Sequence, residues 1–361
     1  MENETIMSEE KIKVGITHGD INGVGYEVIF KTLSDNRIFE SFVPVIYGSS
    51  KVAAYHRKAL NIPNFSLNSV RSVEEVHTRR INIINCLDDN VRVELGKSTT
   101  IGGEGAFKSL ERAVADLKEG KIDVLVTAPI NKKNIQSESF SFPGHTEYLE
   151  QQAGEGEALM LMVSEHMKVG VVAGHVAIKD VPAVITKERI LSKLRTLDLA
   201  LRQDFCIRKP RIAVLGLNPH AGDEGVLGSE EQDIIIPALK QAKDKEGIMA
   251  LGPYPADGLF GSEQFKNFDA ILAMYHDQGL APFKALTFSK GVNYTAGLPF
   301  IRTSPDHGTA FDIAGQDKAN PESFKQALYM AVDVCKHRKL YKELTRNPLK
   351  SIDINELEQK E

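Results

Sequence analysis

Residues 273–315 hold a concentration of side chains that could carry out acid–base, metal-binding or anion-binding chemistry. They are His276, Asp277, Lys284, Asn293, Arg302, Asp306, His307 and Asp312. Glycines and short apolar runs separate them. Glycine allows tight turns and close approach of the backbone to a ligand, and ligand sites combine apolar walls with a few placed polar groups. This segment is therefore the first candidate for a binding site.

Three histidines, His175, His220 and His276, each follow an apolar run of strand length. Neutral imidazole binds zinc and other divalent transition metals. Three protein ligands leave one coordination position for a substrate, which is typical of catalytic rather than structural sites. The three are too far apart in sequence for a spacing argument. Taken singly, each is better explained as a hydrogen-bonded structural histidine.

Strand-like and helical segments alternate almost from end to end. We predict strands at residues 14–17, 43–47, 81–86, 124–127, 159–163, 169–173, 212–217 and 270–274. We predict helices at residues 104–118, 187–202, 229–245 and 321–344. Ser229 and Gln232 have the spacing of a capping box for the third helix. The alternation predicts an α/β fold with substantially parallel sheets, whose ligands bind beyond the carboxyl ends of the strands.

The composition excludes several classes of protein. A chain of 361 residues with 42% hydrophobic and 26% charged residues is typical of a soluble globular protein of about two lobes. The net charge of -5, without a basic block, gives no support for nucleic-acid binding. No apolar run reaches the ~18 residues of a membrane span. An acidic start without a secretory signal, and three widely spaced cysteines (Cys86, Cys206 and Cys335), favour free thiols and a cytoplasmic location.

Several motifs together resemble the signature of the 4-hydroxythreonine-4-phosphate dehydrogenases of vitamin B6 biosynthesis. They are GHTE from Gly144, LNPHAG from Leu217, PAD from Pro255, YHDQGL from Tyr275, GLPFIRTS from Gly297 and DHGTA from Asp306. The resemblance extends from residue 15 to about residue 340. It implies the two-lobed α/β fold of the isopropylmalate and isocitrate dehydrogenases, with mainly parallel mixed sheets and the active site in the cleft between the lobes.

The resemblance also implies a division of the chain. A cofactor-side lobe would comprise residues 1–139 and 300–361, and residues 140–299 would form the metal, substrate and dimerisation lobe. In that family the metal ligands come from both members of a homodimer, so we expect dimerisation to be a condition of activity.

The family's functional residues correspond to particular positions of this chain. The implied metal ligands are His175, His220 and His276, and the implied substrate contacts are His145, Thr146, Lys284, Asn293 and Arg302. The general base is unassigned, with Asp257 and Asp277 as candidates that could equally orient a neighbouring histidine. Thr146 has a second interpretation, as the cap of a helix that begins at Glu147.

The nucleotide site is not an ordinary dinucleotide-binding motif. No GxGxxG follows the first strand, and Val91 stands where the first glycine of a P-loop would precede Gly96-Lys97-Ser98. Residues 307–321 resemble instead the adenosine-binding loop of the isopropylmalate and isocitrate dehydrogenases. The resemblance implies contacts with NAD or NADP at His307, Gly308, Thr309, Asp312 and Asn320. The alternative is a glycine-rich turn before a helix that starts near Thr309.

The first loop, residues 17–27, departs from the family pattern. His18, Ile21 and Tyr26 stand where members have proline. Proline fixes φ and lacks a backbone donor, so we expect a freer loop that offers more N–H groups. This departure weakens the identification of the substrate.

The implied reaction is NAD-dependent oxidation of 4-phosphohydroxy-L-threonine to 2-amino-3-oxo-4-phosphooxybutanoate, which decarboxylates to 3-amino-2-oxopropyl phosphate. A divalent metal, zinc before magnesium, cobalt, nickel or iron, would lower the pKa of the substrate hydroxyl. One alternative is a related dehydrogenase of threonate or erythronate 4-phosphate. Another is a metal-dependent hydrolase, because a site of three histidines can also activate water. A non-catalytic ligand-binding protein has no support in the sequence.

Overall fold

The computed structural model describes residues 10–88, 90–154, 156–287 and 290–348. Within these ranges twelve strands hydrogen-bond into one sheet. They are β1 (Ile12–Thr17), β2 (Phe42–Gly48), β3 (Asn68–Val70), β4 (Asn82–Asn85), β5 (Val124–Thr127), β6 (Leu159–Val163), β7 (Lys168–Ala173), β8 (Arg211–Leu215), β9 (Met249–Tyr254), β10 (Ala270–Tyr275), β11 (Val292–Ala296) and β12 (Ile301–Pro305). Their order in the sheet is β3-β4-β2-β1-β5-β12-β11-β6-β7-β10-β8-β9.

The sheet is mixed and mostly parallel, which confirms the predicted α/β architecture. Its antiparallel pairs are β12–β11, β11–β6 and β6–β7, in the middle of the sheet. The strands of residues 1–139 lie together with β12 on one side, and β6 to β11 lie on the other. The division into two lobes stays a prediction, because the sheet runs without a break across the proposed boundary.

The described ranges also contain eleven α-helices. They are α1 (Gly25–Leu33), α2 (Ile38–Ser41), α3 (Ser50–Ala59), α4 (Thr100–Lys118), α5 (His145–Ala153), α6 (Val181–Val184), α7 (Lys187–Gln203), α8 (Ile236–Glu246), α9 (Ala256–Gly261), α10 (His276–Thr287) and α11 (Glu322–Thr345). The long α11 packs against β12, β5 and β11, so it covers the junction between the two sides of the sheet. No helix in the described ranges is both long and apolar enough to cross a membrane. The cytoplasmic location stays a prediction.

The predicted capping box before α8 is wrong. A π-helical turn, Glu231–Ile235, precedes α8 and has no side-chain cap at its start. The buried Glu231 carboxylate instead accepts hydrogen bonds from the backbone amides of Leu217 (2.7 Å) and Asn218 (2.8 Å). The Glu231 side chain therefore stabilises the loop after β8 and does not cap the amides at the start of its own helix.

The expectation of a freer first loop is also wrong, because residues 17–27 are buried. His18 is fully buried, and its ring stacks on Tyr26 with the centroids 5.2 Å apart. The backbone amide of Val24 donates to the Thr309 carbonyl at 3.0 Å. Aromatic packing and internal hydrogen bonds therefore hold this loop in place.

Candidate active site

Three neighbouring parallel strands, β7, β10 and β8, end at the same edge of the sheet. His175 follows β7, His276 follows β10 as the first residue of α10, and His220 lies in a turn (Pro219–Gly225) after β8. The topology thus places the three predicted ligand loops side by side.

His175 and His276 face each other, with ring centroids 6.3 Å apart. Each ring bonds a carboxylate through Nδ1: His175 to Glu147 Oε1 at 2.8 Å, and His276 to Asp277 Oδ1 at 2.7 Å. A proton on Nδ1 satisfies these bonds and places the lone pair on Nε2, the arrangement found in metal-ligating histidines. The Lys132 ammonium lies 3.5 Å from His175 Nε2.

His220 is exposed and lies in a turn of unusual backbone geometry. Its φ is 54°, and Ala221, Asp223 and Glu224 also have positive φ, which costs about 1–2 kcal/mol for each non-glycine residue. Within the described part of one chain, no three His, Cys, Asp or Glu side chains are grouped to hold a metal ion. One chain therefore brings together His175 and His276, and the three-histidine assignment stays a prediction.

A cavity of about 200 Å³, here called the central cavity, lies beside His175. The ionisable side chains in its wall are Lys132, His145, Glu147, His175, Arg302 and His307. Arg302 on β12 is 2% exposed and donates to the hydroxyls of Thr127 and Thr295. Burial lowers the pKa of Arg302 to about 10. A buried guanidinium bonded to neutral hydroxyls is suited to an anionic ligand.

His145 opens α5 at the wall of the central cavity. Burial, together with the positive charges of Arg302 and Lys132, holds the pKa of His145 well below its usual value. The ring is therefore neutral at pH 7. Its Nε2 atom is buried without a hydrogen-bond partner in the structure.

The same wall carries other buried polar atoms that lack a hydrogen-bond partner, namely Glu147 Oε2, Asn293 Oδ1 and His307 Nε2. Buried polar groups are almost always satisfied in folded proteins. Four such atoms around one cavity indicate a place where a polar ligand completes the hydrogen bonding.

The other predicted substrate and catalytic residues have different surroundings. Thr146 lines the central cavity but does not cap α5, which begins at His145 after Gly144 and has no side-chain cap. Lys284 lies outside the cavity wall and forms an ion pair with Asp306 at 2.9 Å. Asp257 and Asp277 are both exposed. Asp257 belongs to α9, which packs against the His220 turn.

A second cavity, here called the loop cavity, measures about 190 Å³ and adjoins the predicted adenosine loop. Its wall is largely apolar and includes His307 and Asn320, whereas Gly308 lines the central cavity. Thr309 offers its carbonyl to the first loop, and Asp312 is exposed outside the wall. A short 3-10 helix, Phe311–Ile313, stands near Thr309, so the alternative of a glycine-rich turn before a helical segment stays a prediction.

Sequence reasoning missed three contributors to the site. Thr127 ends β5 and holds Arg302, Lys132 follows in the next loop, and Glu147 holds His175. Only Glu147 had a signal, since it belongs to the GHTE motif. The other two are single polar residues at the end of a strand and in the loop that follows it, which the sequence does not distinguish from surface positions.

Known proteins resemble the chain over nearly its full length. A sequence profile of the pyridoxal phosphate biosynthetic protein PdxA matches residues 40–331. A 4-hydroxythreonine-4-phosphate dehydrogenase from Bacteroides thetaiotaomicron is 56% identical, over 95% of this chain and 94% of that protein. A putative D-threonate 4-phosphate dehydrogenase from Oceanobacillus iheyensis is 40% identical, over 91% of this chain and 99% of its own.

A solved structure shares both the fold and the sequence pattern. The crystal structure of 4-hydroxythreonine-4-phosphate dehydrogenase from Klebsiella pneumoniae superimposes with a TM-score of 0.80 at 34% identity. The match covers 91% of this chain and 99% of that one. The resemblance of the motifs is thus confirmed by the whole sequence and the fold: the chain belongs to the PdxA family of pyridoxal phosphate biosynthetic proteins.

Proposed function

We propose that this protein oxidises 4-phosphohydroxy-L-threonine with NAD, yielding after loss of carbon dioxide 3-amino-2-oxopropyl phosphate for pyridoxal phosphate synthesis. The observation that carries the proposal is the buried Arg302 guanidinium in a cavity whose wall holds four polar atoms without partners. The Bacteroides thetaiotaomicron and Klebsiella pneumoniae relatives are 4-hydroxythreonine-4-phosphate dehydrogenases, which supports the same reaction.

The central cavity is suited to a small phosphorylated hydroxy acid. Arg302 can grip one oxyanion with two parallel hydrogen bonds, while the nearby Lys132 supplies a point charge. Neutral His145 and the amide of Asn293 supply donors and acceptors for hydroxyl or amino groups. The one acidic side chain among the wall residues is Glu147. Thr146 would contribute its hydroxyl.

The histidine pair supports a metal site. His175 and His276 each carry a carboxylate on Nδ1, which leaves Nε2 of both rings for a divalent ion such as zinc. We assign His220 of a second chain as the third ligand. When bound, the metal would lower the pKa of the substrate hydroxyl and stabilise negative charge on its oxygen. We assign no general base, because Asp257 and Asp277 are exposed outside the central cavity.

The loop cavity supports a dinucleotide site beside the substrate. Val24, Ala310 and Ile313 give it an apolar wall suited to adenine, and Asn320 places a polar group at its edge. His307 lines both cavities, so a cofactor in the loop cavity would reach toward the substrate. Lys284 pairs with Asp306, which lies in the wall of the loop cavity. Lys284 would therefore bind the substrate from the side of the loop cavity.

A homodimer is supported by apolar side chains that one chain leaves exposed near the histidines. Met249 and Leu251 are exposed on β9, which ends the sheet, and Val226 is 78% exposed beside the His220 turn. Edge strands and apolar patches of this kind are covered in assemblies. We propose that a second copy covers them and that the two chains share the metal site.

D-threonate 4-phosphate is the second candidate substrate, favoured by the Oceanobacillus iheyensis relative. It differs from the first in carrying a hydroxyl where 4-phosphohydroxy-L-threonine carries an amine. Both compounds offer the hydroxyl, carboxylate and phosphate that the cavity groups would recognise.

The deciding experiment follows NADH absorbance with NAD, zinc and each of the two phosphates, with and without a chelator. We expect chelator-sensitive NADH formation, faster with 4-phosphohydroxy-L-threonine. Faster turnover of the threonate phosphate would select the second candidate. Release of inorganic phosphate without NADH would instead indicate a metal-dependent hydrolase and overturn the dehydrogenase assignment.

A further inference from the structure

We propose that Glu147 is a positioning residue for the metal site, fixing both the tautomer and the orientation of the His175 ring. The inference rests on the proposed function, because it takes His175 as a metal ligand. It adds a residue that acts through another one rather than by touching metal or substrate.

The contact joins two separate elements of the fold. Glu147 lies in the first turn of α5, and His175 lies 28 residues later in the loop after β7. Glu147 Oε1 stands 2.8 Å from His175 Nδ1. Because a carboxylate only accepts hydrogen bonds, this contact places the proton on Nδ1 and the lone pair on Nε2. That Nε2 atom lies 3.5 Å from Lys132 Nζ, a side chain in the wall of the central cavity.

The second carboxylate–histidine pair provides an internal comparison. His276 Nδ1 and Asp277 Oδ1 are 2.7 Å apart, but the two residues are adjacent in sequence and the Asp277 side chain is 86% exposed. Water can replace an exposed acceptor. The Glu147 side chain is 29% exposed, and its Oε2 atom is fully buried. The two rings are about equally exposed, at 38% and 40%, so the pairs differ in the carboxylate: that of Glu147 is held by the fold, whereas that of Asp277 is exposed to solvent.

The position of Glu147 also links the metal ligand to the substrate wall. His145 and Thr146 precede it in the same turn of α5, and all three residues line the central cavity. The turn of α5 that holds Glu147 also holds His145 and Thr146. The bond from Glu147 therefore positions the His175 ring relative to these two side chains. An ion pair that only stabilised the fold would not need to lie between the wall of the central cavity and a predicted metal ligand.

The experiment measures zinc affinity of the full-length protein by competition with a chromophoric chelator. The variants are H175A, E147A, E147Q and D277A, compared with the unmodified chain. We expect H175A to lose most of the affinity and E147A to lose about 10- to 100-fold, the usual range for an orienting partner of a metal ligand. E147Q keeps an acceptor for Nδ1–H and should fall in between. D277A should lose less than E147A.

Cobalt(II) absorption supplies a second readout that a structural role would not change. If Glu147 orients His175, the cobalt spectrum of E147Q shifts while its thermal unfolding midpoint stays near that of the unmodified chain. Unchanged zinc affinity and cobalt spectrum in E147Q and E147A, with H175A impaired, would overturn the inference. Unchanged zinc affinity in H175A would instead remove His175 from the metal site and reject that part of the proposed function.

Discussion

The guanidinium of Arg302 and the hydroxyl of Thr127 are joined by two hydrogen bonds, 3.1 Å from Nε and 2.7 Å from Nη2. They belong to β12 and β5, neighbouring parallel strands at the centre of the sheet. The threonine holds the guanidinium plane without neutralising it. The positive charge thus remains available to the central cavity.

Replacing Arg302 by lysine should weaken substrate recognition. Lysine keeps the charge but loses the planar pair of donors. A hydrogen bond to a charged group contributes about 1.5–3 kcal/mol, so we expect kcat/KM for the phosphorylated substrate to fall about 10- to 100-fold. Steady-state kinetics of R302K measure this, with T127V as the control that removes only the supporting hydroxyl. An equal loss in both variants would contradict direct binding by Arg302.

Sharing of the metal site predicts complementation between defective chains. H175A and H220A homodimers should each be inactive, since every site lacks one ligand. If His175 and His220 come from different chains, a heterodimer of the two variants contains one site with both histidines intact. Co-expressed chains with different tags, purified through both, should recover NADH formation. Continued inactivity of a folded heterodimer would place both histidines in the same chain.

Glu27 should control cofactor affinity from outside the loop cavity. Its buried Oε1 accepts hydrogen bonds from the Ala319 amide (2.7 Å) and from Lys31 (2.9 Å), and Ala319 lines the cavity. A lost hydrogen bond to a charged group costs about 1.5–3 kcal/mol, so E27A, which removes both bonds, should raise the KM for NAD at least about tenfold. The KM for the phosphorylated substrate should stay the same. A parallel rise of both KM values would show a general loss of structure.

His18 should make the fold sensitive to acid. Burial lowers the pKa of His18 from 6.5 to about 3. Between these values the unfolded chain binds a proton that the folded chain excludes, so stability falls as pH drops from about 6.5 toward 3. One such proton corresponds to about 1.4 kcal/mol per pH unit.

The test compares the free energy of unfolding of H18L and the unmodified chain at several pH values. The variant should show a shallower slope, by about one proton, over that pH range. Part of the slope should remain, since burial also lowers the pKa of His56 to about 4. Identical slopes in the two proteins would mean that His18 does not contribute.

Most of the sheet could be predicted from the sequence because its parallel strands are continuous apolar runs. All the predicted strands are present within two residues at either end. Four strands were missed. Of these, β11 and β12 carry polar residues such as the half-buried Asn293 and the buried Arg302, which line the central cavity and interrupt the apolar pattern of their strands. The short β3 has a single apolar residue, and the apolar run of the exposed edge strand β9 is cut short by Gly252 and Pro253.

The site was less predictable than the fold. Motifs placed His145, Thr146, Asn293 and Arg302, which the structure brings together in one wall. The interaction of Glu147 with His175 depends on how α5 meets the loop after β7, a tertiary contact that no local pattern encodes. The same holds for Thr127, whose role appears only when β5 and β12 are neighbours.

The position of β12 in the sheet constrains how the protein is made. This strand is the last of the twelve in the chain, yet it lies between β5 and β11 at the centre. During synthesis the edge of β5 that faces β12 stays unpaired until residues 301–305 leave the ribosome. An open strand edge invites pairing with other chains. Assembly of the Arg302 site and closure of the sheet are therefore one event, and it comes late in translation.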